Sequence, residues 1–465
     1  MKYISTRGEA APLGFVDTLL AGLAPDGGLY NPVSWPRLTA AEIAGFAGQS
    51  YAAVAADILG RFAGDEIPKA VLERLCAEAY ASFDHPAVTP VTQMAPDRFL
   101  LELFHGPTLA FKDVAMQILG RLYGHVLAER GRAMTIVCAT SGDTGGAAVE
   151  AFAGLDNVRI VVLFPEGRIS EVQRRFMTTT AQANVRTVAV AGDFDDCQAI
   201  LKSLFADDAF AGEVNLSAVN SINFARIIAQ SVYYFVSAVA LGAPGRAVSF
   251  AVPTGNFGDA FAGYAAKLMG LPIAQIIVAT NANDIVSRAL ATGEYRRGAA
   301  QATQSPAMDI QVASNFERLF FECAGRDSAA TADAFRTFGA AGAMRTPPAV
   351  LAAMQETFVA AAVDEALTAA TIADTRTRTG MVIDPHTAVA VAGADKVRTG
   401  AQATPLVIVS TAHPAKFPEA VTAAAGVVAE PPRAVRLRSG LAEEIDRLPA
   451  DLGAVKTYVR AFAAS

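Results

Sequence analysis

Thr135-Ile136-Val137-Cys138-Ala139-Thr140-Ser141-Gly142-Asp143-Thr144-Gly145-Gly146 decides the fold class. Its opening residues form a β-branched, apolar run of strand length, and glycines with small hydroxyls follow at once, the composition of a turn into a helix. Similar runs recur at Val158–Phe164, Val185–Val190, Val248–Val252, Ile273–Ala279 and Leu406–Val409, with segments of helical period between most of them. Strands that are apolar almost throughout suit parallel sheets flanked by helices on both faces. The class is therefore α/β. In such sheets ligands sit beyond the carboxyl ends of the strands, where loops enter the next helices, so these junctions carry the functional information.

Outward from this centre, a chain of 465 residues is too long for one ordinary core. The N-terminal residues read as mostly helical, with a turn at Asp26-Gly27-Gly28 and helical spacing across Ala40–Gly60 and Pro68–Phe83. Ala329–Ala373 is Ala-rich and reads as helices broken at Pro347-Pro348. We divide the chain into a mostly helical region at 1–92, a smaller α/β domain at 93–240 and a larger one at 241–465.

The net charge of −7 and the absence of a basic stripe argue against a nucleic-acid partner. Cys76, Cys138, Cys197 and Cys323 are scattered, without metal-ligand spacing, and free thiols suit a reducing cytoplasm. The first residues carry Lys2, Arg7 and Glu9 and lack the apolar core of a signal peptide. No charge interrupts Ile227–Gly245, a length that could span a bilayer. Gln230, Ser231, Tyr233, Tyr234 and Ser237 lie within it and no second span follows, so a buried helix is expected rather than a membrane anchor.

Three junctions are unusual, and a fourth follows the last strand. In Gly106-Pro107-Thr108-Leu109-Ala110-Phe111-Lys112-Asp113, Gly-Pro breaks the chain, Thr108 can cap, and a helix should run to about Arg130. Lys112 falls at the edge of the apolar stripe, with Asp113 and Gln117 on the opposite face. Desolvation and the positive helix end would both activate its amine for a Schiff base. The other reading is a lysine that snorkels from a core helix. Thr140–Gly146 exposes backbone N–H groups and hydroxyls at a helix start, either a cradle for a carboxylate or a plain turn. Val252-Pro253-Thr254-Gly255-Asn256-Phe257-Gly258-Asp259 offers the same choice between a phosphate loop and a Gly-rich turn. Its spacing is not that of a dinucleotide fingerprint. After the last strand, Ser410-Thr411 could bond a ring nitrogen or merely satisfy the backbone, while His85, His125 and His386 show no partner pattern. An amine, a carboxylate loop and a phosphate loop at the strand ends are together what a pyridoxal-phosphate site needs.

At this point the motifs are recognisable. The run Gly106 to Asp113 resembles the Schiff-base motif of fold-type II pyridoxal-phosphate enzymes. Thr140–Gly145, Asn220-Ser221-Ile222-Asn223 to Arg226, Pro253–Asp259, Asn281-Ala282-Asn283-Asp284, Ser305-Pro306-Ala307-Met308-Asp309, Ser410–Phe417 and the Asp26–Tyr30 turn are similar to the threonine synthases, in their longer microbial and fungal form. The resemblance covers most of the chain.

It implies that Lys112 is catalytic and holds pyridoxal 5'-phosphate. Gly255, Asn256, Phe257 and Gly258 would bind the cofactor phosphate, and Thr411, with Ser410 as the alternative, the pyridine nitrogen. Ser141, Asp143 and Thr144 would line the substrate carboxylate loop, and Asn220, Ser221 and Arg226 would grip the substrate phosphate. Where many fold-type II relatives have Asn, this sequence has Asp143. The smaller domain would thus carry the lysine and carboxylate loop, and the larger the phosphate loop and C-terminal segment. The implied enzyme is a cytoplasmic carbon–oxygen lyase of threonine biosynthesis, converting O-phospho-L-homoserine and water to L-threonine and phosphate. Three rivals remain: a phospho-lyase of the same fold that ends at a 2-oxo acid, a serine or threonine dehydratase, and a catalytically silent cofactor-binding homologue.

Overall fold

The computed structural model describes residues 1–140, 142–217, 219, 221–398 and 404–465. It divides into two compact units, Met1–His105 with Ser221–Ala429, and Gly106–Asn220 with Glu430–Ser465. These bounds differ from the expected segments. The N-terminal region folds into the larger unit, the smaller unit ends at Asn220 rather than 240, and the C-terminal residues return to it. The return is made by Asp446–Pro449, which pairs with Val185–Ala191 and so adds an edge strand to the smaller sheet.

That smaller sheet has the order Asp446–Pro449, Val185–Ala191, Val158–Pro165, Met134–Ala139, Leu216–Ser217, and every pairing is parallel. Val137, Val161, Leu163, Val188 and Val190 pack with Leu204, Val455 and Val459 of the covering helices. The larger sheet runs Phe358–Ala362, Ile273–Thr280, Val248–Pro253, Leu406–Ser410, Arg98–Glu102, Val91–Ala95, parallel except for the antiparallel edge pair Val91–Ala95 with Arg98–Glu102. All residues of Val248–Pro253 and Leu406–Ser410 are buried, which is why these strands read as unbroken apolar runs.

Phe358–Ala362 was not expected as a strand. Its sequence Phe-Val-Ala-Ala-Ala lies in the Ala-rich stretch read as helical, and pairing with Ile276–Thr280 overrides the weak local preference of alanine. The break at Pro347-Pro348 is present: Pro348 opens the helix Pro348–Gln355, where a missing N–H costs nothing.

In the N-terminal region the expected stretch Ala40–Gly60 forms two helices, Ala40–Ala44 and Tyr51–Ala63, rather than one; Lys69–Tyr80 is helical as expected, and Tyr3–Ser5 pairs with Tyr30–Pro32. The Asp26 carboxylate closes the intervening turn by accepting from the Gly28, Glu9 and Ala10 N–H groups and the Ser5 hydroxyl, at 2.8–3.0 Å. The uncharged stretch after Arg226 lies mostly in the helix Phe224–Ala240, buried on nearly every side. Among the described residues no helix is long and apolar enough to cross a membrane.

Candidate active site

The smaller unit carries Lys112 as the first residue of the helix Lys112–Glu129. The helix N-cap is Phe111, not Thr108 as expected from the sequence. Thr108 is occupied elsewhere: its N–H and its hydroxyl both donate to the Asp113 carboxylate at 2.7 Å. Asp113 and Gln117 are buried, against the expectation of a polar outer face, because the helix is covered on that side as well. Asp113 tolerates burial because Thr108 satisfies it. The clamp folds Gly106 onto the helix, where a Cβ would come within 2.5 Å of Asp113. Lys112 is itself buried, with Nζ 4.9 Å above the Phe111 ring and 3.5 Å from Asp143 Oδ2.

Asp143 opens the helix Asp143–Phe152 directly after the Met134–Ala139 strand. The Thr140 hydroxyl accepts from the Gly142 and Gly145 N–H groups at 2.9 and 3.0 Å, which shapes the turn. Thr144 follows on the same turn, half-buried, and its hydroxyl has no partner among the described residues. Ser141 and Asn220 lie outside the described residues.

In the larger unit, Gly255–Gly258 leads from the Val248–Pro253 strand into the helix Gly258–Leu268. No acceptor among the described residues takes the backbone N–H groups of Gly255, Asn256, Phe257 or Gly258. Four such donors at a helix N-terminus form a cradle that fits a phosphate. The left-handed residue of this loop is not a glycine but Phe257, with φ of 63°. Phe257 is held there by its buried ring, against Phe316 and Phe358. Gly255 is needed for another reason: a Cβ would stand 2.7 Å from the Ala307 carbonyl oxygen.

Ala307 belongs to the Ser305–Asp309 motif, and the neighbouring motif ties it down. Asp309 accepts from Asn281 Nδ2, Asn283 Nδ2 and the Thr303 hydroxyl at 2.7–3.0 Å. The Ala307 N–H donates to His386 Nε2 at 3.3 Å, and His386 Nδ1 lies 2.7 Å from Asp384. His386, for which the sequence showed no partner, is thus a buried support of the loop beneath Gly255.

Arg226 stands in the first turn of the helix capped by the Asn223 side chain. It is 4% exposed, its Nε has no partner, and no carboxylate pairs with it among the described residues. Burial pushes its pKa down to about 10, so it remains a cation at neutral pH. A buried guanidinium of this kind is costly unless an anion joins it. Ser221, from the same motif, lies 3.0 Å from the Ser314 hydroxyl, which donates to Asn256 Oδ1 at 3.3 Å. Farther along, Tyr233 and Tyr234 donate to the buried Asp259 carboxylate at 2.5 and 2.8 Å, joining this helix to the one that follows the phosphate loop. Burial raises Asp259 to about 6.

At the end of the Leu406–Ser410 strand, the Ser410 hydroxyl is 2.9 Å from that of Thr387, which donates to Asp384. Thr411 is buried beside it, and its hydroxyl has no partner among the described residues.

Sequence reasoning passed over Gln173, Ser314, Asn315 and Asp384. Asp384 before Pro385 is a helix-start signal, and it does cap that helix. Gln173 and Asn315 act through tertiary contacts that no local pattern announces.

Family models match in order along the chain: threonine synthase N terminus at residues 2–80, pyridoxal-phosphate dependent enzyme at 88–412 and threonine synthase, C-terminal, at 387–459. The threonine synthase of Pseudomonas aeruginosa is 47% identical over 462 residues, covering 99% of this chain and 98% of its own. That of Saccharomyces cerevisiae is 39% identical over 453 residues, covering 90% and 88%. The crystal structure of PLP-bound threonine synthase from Brucella melitensis is similar with a TM-score of 0.98 and 51% identity over 100% of both chains.

Proposed function

The chain belongs to the threonine synthase family, and on that premise we propose that it converts O-phospho-L-homoserine and water to L-threonine and phosphate with pyridoxal 5'-phosphate. The observation that carries the substrate reading is Arg226, a buried cation without a carboxylate among the described residues, in the same unit as a second anion cradle at Gly255–Gly258. One cradle suits the cofactor phosphate and the other a phosphorylated substrate. A dehydratase of unphosphorylated serine or threonine would leave Arg226 unpaired.

When bound, pyridoxal phosphate supplies a conjugated electron sink for charge developing next to the substrate amine. Lys112 holds the cofactor, and its amine takes the proton from the substrate α-carbon. The Gly255, Asn256, Phe257 and Gly258 amides hold the cofactor phosphate. Thr411 bonds the pyridine nitrogen. The engagement of the Ser410 hydroxyl by Thr387 supports this choice of residue. Ser141, Asp143 and Thr144 line the substrate carboxylate loop, while Asn220, Ser221 and Arg226 grip the substrate phosphate until it leaves from the γ-carbon. Cys76, Cys138, Cys197 and Cys323 are free thiols, which supports a reducing, cytoplasmic setting.

Product analysis tests the reading. Purified enzyme with O-phospho-L-homoserine should yield L-threonine and phosphate in equal amounts. Phosphate with a 2-oxo acid and no threonine would make it a phospho-lyase, and no turnover would make it a silent homologue.

A further inference from the structure

We propose that Gln173 is a positioning residue that fixes Asp143 so that one carboxylate oxygen faces the Lys112 amine. Gln173 Nε2 donates to Asp143 Oδ1 at 3.0 Å, and Asp143 Oδ2 lies 3.5 Å from Lys112 Nζ. The two oxygens thus have separate tasks. Gln173 is itself held: the Ser170 hydroxyl donates to Gln173 Oε1 at 3.1 Å, which leaves Nε2 as the end that meets Asp143. The same hydroxyl caps the helix Glu171–Thr178 by accepting from the Gln173 N–H.

Gly142 records the same arrangement. Its φ is 140°, and a Cβ there would stand 2.6 Å from the Gln173 side-chain carbon Cδ. The glycine makes room for the glutamine amide. Lys112, Asp143 and Gln173 are 9%, 8% and 7% exposed, so little water competes for these contacts.

Several other charged groups on the surrounding elements have partners of their own. Asp113, next to Lys112, binds Thr108. Arg174 and Arg175, next to Gln173, pair with Glu443. Glu150, at the far end of the Asp143 helix, pairs with Arg438. The Val158–Pro165 strand carries Arg159 at its start.

A carboxylate this close in a buried setting stabilises positive charge on the lysine nitrogen. That is the form Lys112 takes once it has accepted a substrate proton. A carboxylate without the glutamine would lose a donor and its fixed orientation.

The inference rests on Lys112 being the cofactor-linked lysine. The test is a pH titration of the visible absorption band in the full-length, cofactor-loaded enzyme, beside thermal melting. Asp143→Asn should lower the apparent pKa of the band by about one unit or more, a tenfold change. Gln173→Leu should shift it in the same direction, and the double variant should go no farther than Asp143→Asn alone. Ser170→Ala should give a smaller shift of the same sign and serves as the test if Gln173→Leu does not fold. A wild-type titration in Gln173→Leu, with only a lower melting temperature, would overturn the proposal, as would an effect that adds in full to Asp143→Asn. Where Gln173→Leu does not fold, a wild-type titration in Ser170→Ala would overturn it equally. Survival of the band in Lys112→Ala would instead overturn the assignment of the lysine.

Discussion

Asn315 Nδ2 donates to the backbone carbonyl of Ser221 at 3.0 Å. The same amide reaches the Asn256 carbonyl at 3.2 Å, and the Asn315 N–H reaches it at 3.0 Å. One buried side chain therefore fastens the candidate substrate-phosphate motif to the candidate cofactor-phosphate loop. Asn315 is oriented in turn by Arg318, whose Nε donates to Asn315 Oδ1 at 3.1 Å and whose Nη2 donates to the Ile222 carbonyl.

Replacing Asn315 by Leu should loosen both anion sites together. The Ser221 carbonyl and Arg318 Nε would lose the Asn315 side chain as partner, and a buried polar group left unpaired costs about 1–3 kcal/mol, roughly 5- to 150-fold if expressed in binding. The expected result is a joint rise in the cofactor dissociation constant and in KM. Cofactor titration beside steady-state kinetics checks it, and a change in only one of the two would dissolve the link.

Arg226→Ala should lower kcat/KM for O-phospho-L-homoserine by roughly 10- to 150-fold, since a charge-assisted contact contributes about 1.5–3 kcal/mol. The visible spectrum should not change, because Arg226 is assigned to the substrate. Kinetics indistinguishable from wild type would leave phosphate recognition without its main cation.

Gly255→Ala should weaken cofactor binding and lower the melting temperature, because its Cβ meets the Ala307 carbonyl oxygen at 2.7 Å. Such overpacking costs about 1–3 kcal/mol. Gly258→Ala should do less harm, since the nearest atom is the Asn315 amide nitrogen at 3.3 Å. The reverse order of severity would mean that the loop is not supported by the Ser305–Asp309 segment.

His413 supplies a pH dependence. Burial, with His105 nearby, pushes its pKa down to about 4 from an ordinary 6.5, and Nδ1 accepts from the Ala415 N–H at 3.1 Å. Between these values the unfolded chain binds a proton that the folded chain refuses, so stability is lost as pH falls from 6.5 towards 4. His413→Gln removes this contribution. Melting curves from pH 7 to 4.5 should show the variant gaining on the wild type as pH drops. A constant difference across that range would count against a neutral, buried His413.

The sheets were legible because strands covered on both faces leave unbroken apolar runs, as at Val248–Val252 and Leu406–Val409. Phe358–Ala362 was not, because alanine carries almost no strand signal and the pairing with Ile276–Thr280 is set by distant chain. The anion loops were legible as glycines at helix starts, but the reasons for those glycines were not. Gly142 gives way to Gln173 and Gly255 to Ala307, contacts that join residues far apart in sequence. Asp113 falls opposite the apolar stripe on the helix, which reads as outward-facing, and nothing local announces that Thr108 satisfies it in a buried place. Asn315, Gln173 and Asp384 escaped notice because their roles lie in what they hold.

The most direct test of the central claim is to reduce the cofactor-loaded enzyme with borohydride and map the modified peptide by mass spectrometry. The account predicts that the reduced cofactor is bonded to Lys112. Among the described residues the other buried lysine is Lys416, 1% exposed in the segment after Thr411. Cofactor on Lys416, on any other lysine, or on none would contradict the assignment on which the site has been built.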